Sequence, residues 1–172
     1  MNLLDIIRKR CSIRNYSKSP VEESKINYIL EAARLSPSAC NNQPWRFILA
    51  QGSDTIRKII ESYPREWAKT APLFIIICGD HTQSWKRPSD GKDHIDIDAG
   101  IACAQICLAA TEVKLGTCII CHFNAPLIKS SLNLPDNIEP LIIISIGYPS
   151  EATLFETTPK KRKAMEEILI RL

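Results

Sequence analysis

A layered α/β or α+β domain is the fold class this sequence predicts, and two observations predict it. Four short runs of strand-forming residues punctuate the chain, at residues 46–50, 73–78, 117–123 and 141–147. Between them lie segments with helical periodicity, and strands separated by helices bury their apolar faces as helix layers on a sheet. The length of 172 residues suits one domain, 1–172, with a sizeable core.

The elements follow in order. Residues 2–10 read as a first helix, with Asn2 as N-cap and Leu3, Ile6 and Ile7 on one face. Ser19-Pro20-Val21-Glu22 reads as the next helix start. There Ser19 caps, Pro20 suits the first helical position and Glu22 completes a capping box. Its stripe is Ile26, Ile29, Leu30 and Ala33, and Ser36-Pro37 stops it. Residues 46–50 read as a strand and 54–63 as a helix. The unbroken apolar run at 73–78 predicts a strand buried on both faces. Residues 82–93 are polar and read as a loop. Residues 96–114 predict a long helix whose Ala99, Gly100, Ala102, Cys103 and Ala104 let another element approach closely. Gly116 is expected as its C-cap glycine. A strand at 117–123, a helix opened by Asn124-Ala125-Pro126 and a strand at 141–147 complete the pattern. The apolar end Ile168-Leu169-Ile170 needs a surface to cover, in its own core or on a partner subunit.

Apolar residues make up 45% of the chain and charged residues 24%, which is ordinary for a globular protein. A net charge of +3 is too small to argue for nucleic acid. The longest apolar runs, 71–78 and 141–146, are far too short to span a bilayer. With no secretion signal visible, the expected location is cytoplasmic and the seven cysteines are expected to be mostly reduced.

Three stretches carry candidate chemistry. Arg10-Cys11-Ser12-Ile13-Arg14 offers two guanidiniums and a hydroxyl at alternate positions, donors matched to phosphate oxygens. It equally fits surface arginines at a helix end. Ser36-Pro37-Ser38-Ala39-Cys40-Asn41-Asn42-Gln43-Pro44-Trp45 sets amides in a proline-bracketed loop. Amides both donate and accept, which suits the edge of a heteroaromatic ring, although a well-capped turn is the plainer reading. Pro159-Lys160-Lys161-Arg162 is a second phosphate grip or a solvated basic tail.

Cys118-Ile119-Ile120-Cys121-His122 fits C-x-x-C-H, the pattern of covalent haem attachment. Haem attachment normally requires export, for which there is no signal. With Cys103 and Cys107, one turn apart on a helix, these residues also offer four thiols and an imidazole to zinc or an iron–sulfur cluster. Against a metal, the spacers are isoleucines, and strand alternation sends Cys118 and Cys121 to opposite faces.

Taken together, R-x-S-x-R after the first helix, S-P-S-x-x-N-x-Q-P-W after the second, and G-Y-P followed by K-x-R resemble the nitroreductase family of FMN-dependent oxidoreductases. The resemblance runs over nearly the whole chain. It implies an α+β sandwich, a mixed central sheet flanked by helices, in an intertwined homodimer with FMN at the interface. Arg10, Ser12 and Arg14 would bind the FMN phosphate and ribityl chain, with Cys11 among them and Lys160 and Arg162 adding to the grip. Pro37, Ser38, Asn41 and Gln43 would lie against the flavin, typically that of the other subunit. Ile120, Cys121 and His122 would run past its reactive edge, with a backbone N–H near Cys121 facing N5. The implied reaction is ping-pong: NADH or NADPH delivers a hydride to flavin N5 and leaves, then a nitroaromatic, quinone or similar small acceptor is reduced. No protein acid or base is required, so no catalytic side chain is named, and no metal. The chain departs from the family at Cys11, where a basic residue or histidine is frequent, and at Cys121 and His122, where glycine is frequent. The alternatives are a specialised flavin-fold enzyme with another reaction, a binding module, or a cysteine-based metal or redox protein.

Overall fold

The computed structural model describes residues 2–150 and 160–172. Its helices are α1 (Leu3–Lys9), α2 (Glu23–Arg34), α3 (Ser53–Ser62), α4 (Ile95–Glu112) and α5 (Ala125–Ser131). Its strands are β1 (Trp45–Ala50), β2 (Leu73–Asp80), β3 (Gly116–Ile120) and β4 (Ile138–Gly147), in the order β1-β2-β4-β3.

All eight residues of β2 are buried, because helices cover both faces of the sheet. Leu73, Ile75 and Ile77 enter one core with Ile26 and Ile29 of α2 and Ala102 and Ile106 of α4. Phe74, Ile76 and Cys78 enter the other with Ile59 of α3 and Ile128 of α5. Each fully buried isoleucine contributes about 1.5–3 kcal/mol relative to an exposed one. The four strands pair antiparallel throughout. The described strands therefore form an antiparallel sheet and not the mixed one expected; a single parallel bridge, Ser12 beside Thr117, lies outside the strands at the β3 edge. A register shift falls between Ile77 and Cys78, where Pro140 of β4, lacking an N–H, stands opposite Cys78.

Three local expectations are corrected. The second helix is capped by Glu22, not Ser19, and begins at Glu23. Residues ahead of it are held extended, since Tyr16 pairs with Pro149 and the Ser17 N–H donates to Tyr148 O. Gly116 is not the helix C-cap. Lys114 takes the left-handed conformation after α4 (φ 66°), and Gly116 opens β3. Glycine is required there by packing, because a Cβ would stand 2.6 Å from Cγ1 of Ile13. β3 also ends at Ile120, so Cys121 and His122 lie in the following turn. Asn2 caps α1 in a reciprocal capping box with Asp5, and Asn124 caps α5. Among the described residues, no helix is long and apolar enough to cross a membrane.

Candidate functional site

Residues 10–14 leave α1 and run extended along the free edge of β3. The Ile13 N–H donates to Thr117 O at 2.9 Å. Ile13 is buried and Cys11 half-buried, while Ser12 and Arg14 face outward. Tyr16 locks the segment from beneath: its hydroxyl donates to Ile13 O (2.8 Å) and bonds Ser145 Oγ (2.8 Å). Burial pushes the Tyr16 phenol well above its ordinary range, so it stays a neutral donor. Tyr16 was not among the residues singled out from sequence. Its only signal was an aromatic two positions past the second arginine.

The arginines of this segment part company. Burial raises the Cys118 thiol of β3, and Arg14 and Ser12 offset part of that rise. The charge of Arg10 is felt instead at Cys103 and Cys107, on the β3-facing side of α4. There it meets the C-terminal segment. Lys160 Nζ donates to the Arg8 and Ile7 carbonyls at the end of α1. Burial, then the neighbouring Arg10, with Arg162 beyond, lower the Lys160 pKa. Among the described residues no carboxylate pairs with Arg10, Arg14, Lys160 or Arg162. Lys160 thus feels two like charges, Arg10 and Arg162, and among the described residues none of the three has a carboxylate partner, an arrangement that can accept an anion. Pro159 of the late basic motif lies outside the described residues.

The amide-rich loop is anchored elsewhere on α4. The Ala39 N–H donates to Asp98 Oδ1 at 2.9 Å. Along the helix axis, Asp98 is about 13 Å from Cys107, at 1.5 Å per residue. Within the loop, Ser38 Oγ accepts from the Gln43 N–H (2.9 Å), and the Gln43 amide donates to Asn41 (3.2 Å). Cys40, Asn41 and Gln43 all have φ near +50°. That backbone turns Pro37, Asn41 and Gln43 outward, with Ser38 half-buried. Sequence reading identified the loop but missed Asp98. The available signal was a carboxylate within an otherwise small, apolar helix face.

At the end of β3, Ile120 is buried in the core while Cys121 and His122 are exposed. His122 lines a cleft of about 550 Å³ with Tyr63, Arg65, Phe123 and Asn124. Cys118 is buried within β3 and Cys121 is exposed in the turn after it. Burial pushes the Cys78 thiol up to about 12 and raises Cys118 as well. Among the described residues no group of three His, Cys, Asp or Glu side chains converges as metal ligands.

The model of the family described as "Nitroreductase family" matches residues 7–68 and 60–148. The chain belongs to the nitroreductase family. A crystal structure of a nitroreductase family protein from Clostridium difficile 630 superposes with a TM-score of 0.91 at 37% identity, covering 99% of this chain and 98% of that one. An FMN-dependent nitroreductase from Clostridium difficile R20291 superposes at 0.73 with 30% identity, covering 96% and 94%. A curated relative in Methanothermobacter thermautotrophicus, named as a candidate NADH dehydrogenase/NAD(P)H nitroreductase, is 34% identical over 88% of this chain and 79% of its own. Both groups of residues singled out from sequence lie against α4, with Arg10 near Cys103 and Cys107 at its middle and the amide loop tied to Asp98 near its start.

Proposed function

We propose that this chain is an FMN-dependent oxidoreductase that takes reducing equivalents from NADH or NADPH and passes them to a nitroaromatic, quinone or similar small acceptor. The observation that carries the reading is the grouping of Arg10, Lys160 and Arg162, which have no carboxylate partner among the described residues. These groups fit a phosphate monoester, with Ser12 and Arg14 at the strand edge within reach of the same ligand's polyol chain. FMN, when bound, supplies the two-electron redox chemistry that the protein's own side chains lack.

The residues do the rest. The cations at α1 and the C-terminal segment hold the phosphate. The loop amides of Asn41 and Gln43 hydrogen-bond a heteroaromatic edge with matched donors and acceptors. Backbone N–H groups after Ile120 stabilise negative charge that develops on the ring system. Exposed Cys121 and His122, where a smaller residue would leave more room, narrow the approach of donor and acceptor.

The assembly proposed is a homodimer. Leu3, Leu4 and Ile7 on α1, and Ile97 on α4, are exposed in the single chain, as are Ile168, Leu169 and Ile170. Gly100 and Ala104 continue the exposed α4 stripe at helical spacing. So many exposed large apolar side chains ask for a partner, and the small residues of α4 allow close helix contact.

Fluorescence titration of FMN, then anaerobic mixing with NADH or NADPH, tests the reading. Bleaching of the bound flavin's visible absorption and its recovery on adding a quinone or nitroaromatic is the expected course. Protein that takes up no FMN would overturn it.

A further inference from the structure

We propose that Asp98 is a positioning residue, whose carboxyl fixes the loop of residues 37–43 and so sets how Asn41 and Gln43 meet the flavin ring. The proposal rests on the flavin reading above.

Asp98 is 1% exposed, in a core otherwise built of apolar side chains such as Ala99, Ala102 and Cys103. One oxygen accepts the Ala39 N–H, and the other, Oδ2, is sealed from solvent without a hydrogen-bond partner among the described residues. A half-satisfied buried carboxyl is costly, and an apolar residue of similar size would serve the core better. Its use is therefore at the loop. Ala39 directly precedes Cys40, the first of three non-glycine residues with φ near +50°. L-residues avoid that region, so the loop keeps its shape only where its surroundings over-determine it. The Ser38–Gln43 and Gln43–Asn41 bonds are internal and would move with the loop. The ties to the rest of the protein are Asp98 to Ala39, the Asn42 amide to Gln83 O (3.0 Å), and the Asp80 N–H to Pro44 O (2.7 Å). Of these, the Asp98 tie alone uses a fully buried side chain.

One turn earlier, on the same helix face, His94 also has a buried nitrogen, Nε2, without a partner. Its ring packs edge-on against Trp85 at 4.7 Å, and its N–H donates to Trp85 O. The start of α4 thus fastens both the amide loop and the 81–94 loop, which themselves join at Asn42 and Gln83.

The test compares FMN and riboflavin binding by wild type, Asp98→Ala and Asp98→Asn, with the visible circular dichroism of each complex. Asp98→Ala is expected to weaken both flavins by about tenfold, leaving their ratio unchanged, and to alter the flavin dichroism, since the ring-side contacts suffer. Asp98→Asn keeps an oxygen for the Ala39 N–H and is expected to stay within about threefold of wild type with its spectrum intact. Asp98→Ala with wild-type affinities and dichroism would overturn the proposal. Amide exchange on wild-type apoprotein covers the case in which Asp98→Ala does not fold. Slow exchange at Ala39 supports the anchor, and exchange as fast as that of an open loop removes it. Wild-type protein that binds neither flavin would overturn the flavin reading, and the Ala39 exchange would still report on the anchor separately.

Discussion

Gly116→Ala is the sharpest test of how the 10–14 segment is held. The added Cβ would stand 2.6 Å from Ile13 Cγ1, 2.8 Å from its Cβ and 3.1 Å from its Cγ2. Favourable carbon contacts begin at about 3.5 Å, so all three are clashes. Ile13 cannot swing clear, because it is 1% exposed in a packed core. Its backbone is pinned on both sides, by its N–H to Thr117 O (2.9 Å) and by the Tyr16 hydroxyl on its carbonyl (2.8 Å). The relief available is for the segment to lift from β3 and carry Ser12 and Arg14 with it. Overpacking of this kind costs about 1–3 kcal/mol. For a chain of this length, that lowers the melting temperature by about 2–12 °C. Thermal unfolding of the apoprotein by far-ultraviolet dichroism reads the stability, and FMN titration reads the displaced Ser12 and Arg14. A variant that melts within about 1 °C of wild type and binds FMN unchanged would refute the account of Gly116 as a packing requirement.

Four further outcomes are expected. Arg10→Ala should weaken FMN by about tenfold or more while leaving riboflavin binding nearly unchanged, because it removes a charged donor to phosphate alone; equal losses for the two ligands would take Arg10 out of the phosphate grip. Tyr16→Phe leaves Ile13 O and Ser145 Oγ without their buried partner and should lower stability by about 1–3 kcal/mol in urea titrations. Gly100→Ala has nothing within 4 Å in the single chain, so helix propensity alone would stabilise it; a dimer packed on this face predicts the opposite, a weaker association by sedimentation. Hydrogen bonds donated by the ring to the carboxylates of Asp93 and then Glu139 raise the His81 pKa. Burial works against ionisation of Asp93, yet bonds from Ser84, His81 and the Ile95 N–H outweigh it and hold that carboxyl at about 2. The folded state therefore keeps the His81 proton longer than the unfolded chain does. This contribution is complete below the ordinary imidazole value of 6.5 and is lost as pH rises through the raised one. The melting temperature should fall over that window, and His81→Gln should flatten the fall.

Where sequence reading succeeded, the physics was local. The Asn2 cap of α1, the helix start at residues 124–126 and the stripe of α2 follow from short-range hydrogen bonds and helix period. The double burial of β2 follows from an apolar run too continuous to face water. Cys118 and Cys121 do have opposite exposures, but because β3 ends at Ile120 and leaves Cys121 in the turn, so C-x-x-C-H is no shared ligand set here. Where it failed, a distant segment intervened. Ser19-Pro20-Val21-Glu22 has the letters of a capping box, but residues 16–17 are committed to Tyr148 and Pro149. Gly116 has the look of a C-cap, but Ile13, about a hundred positions away, is what demands it.

The same division runs through the candidate site. Residue types and spacings alone determined that phosphate-matching donors follow the first helix and that an amide-rich, proline-bracketed loop follows the second. Local chain geometry is enough to bring those groups near one another in sequence. Only the tertiary structure decided which charges meet: Arg10 turns toward α4 and joins Lys160 and Arg162 from the far end of the chain, while Ser12 and Arg14 turn to Cys118. It also brought in Asp98, whose bond to Ala39 spans 59 positions. Contacts between residues so far apart are set by how helices and strands pack, and no periodicity in the sequence records them.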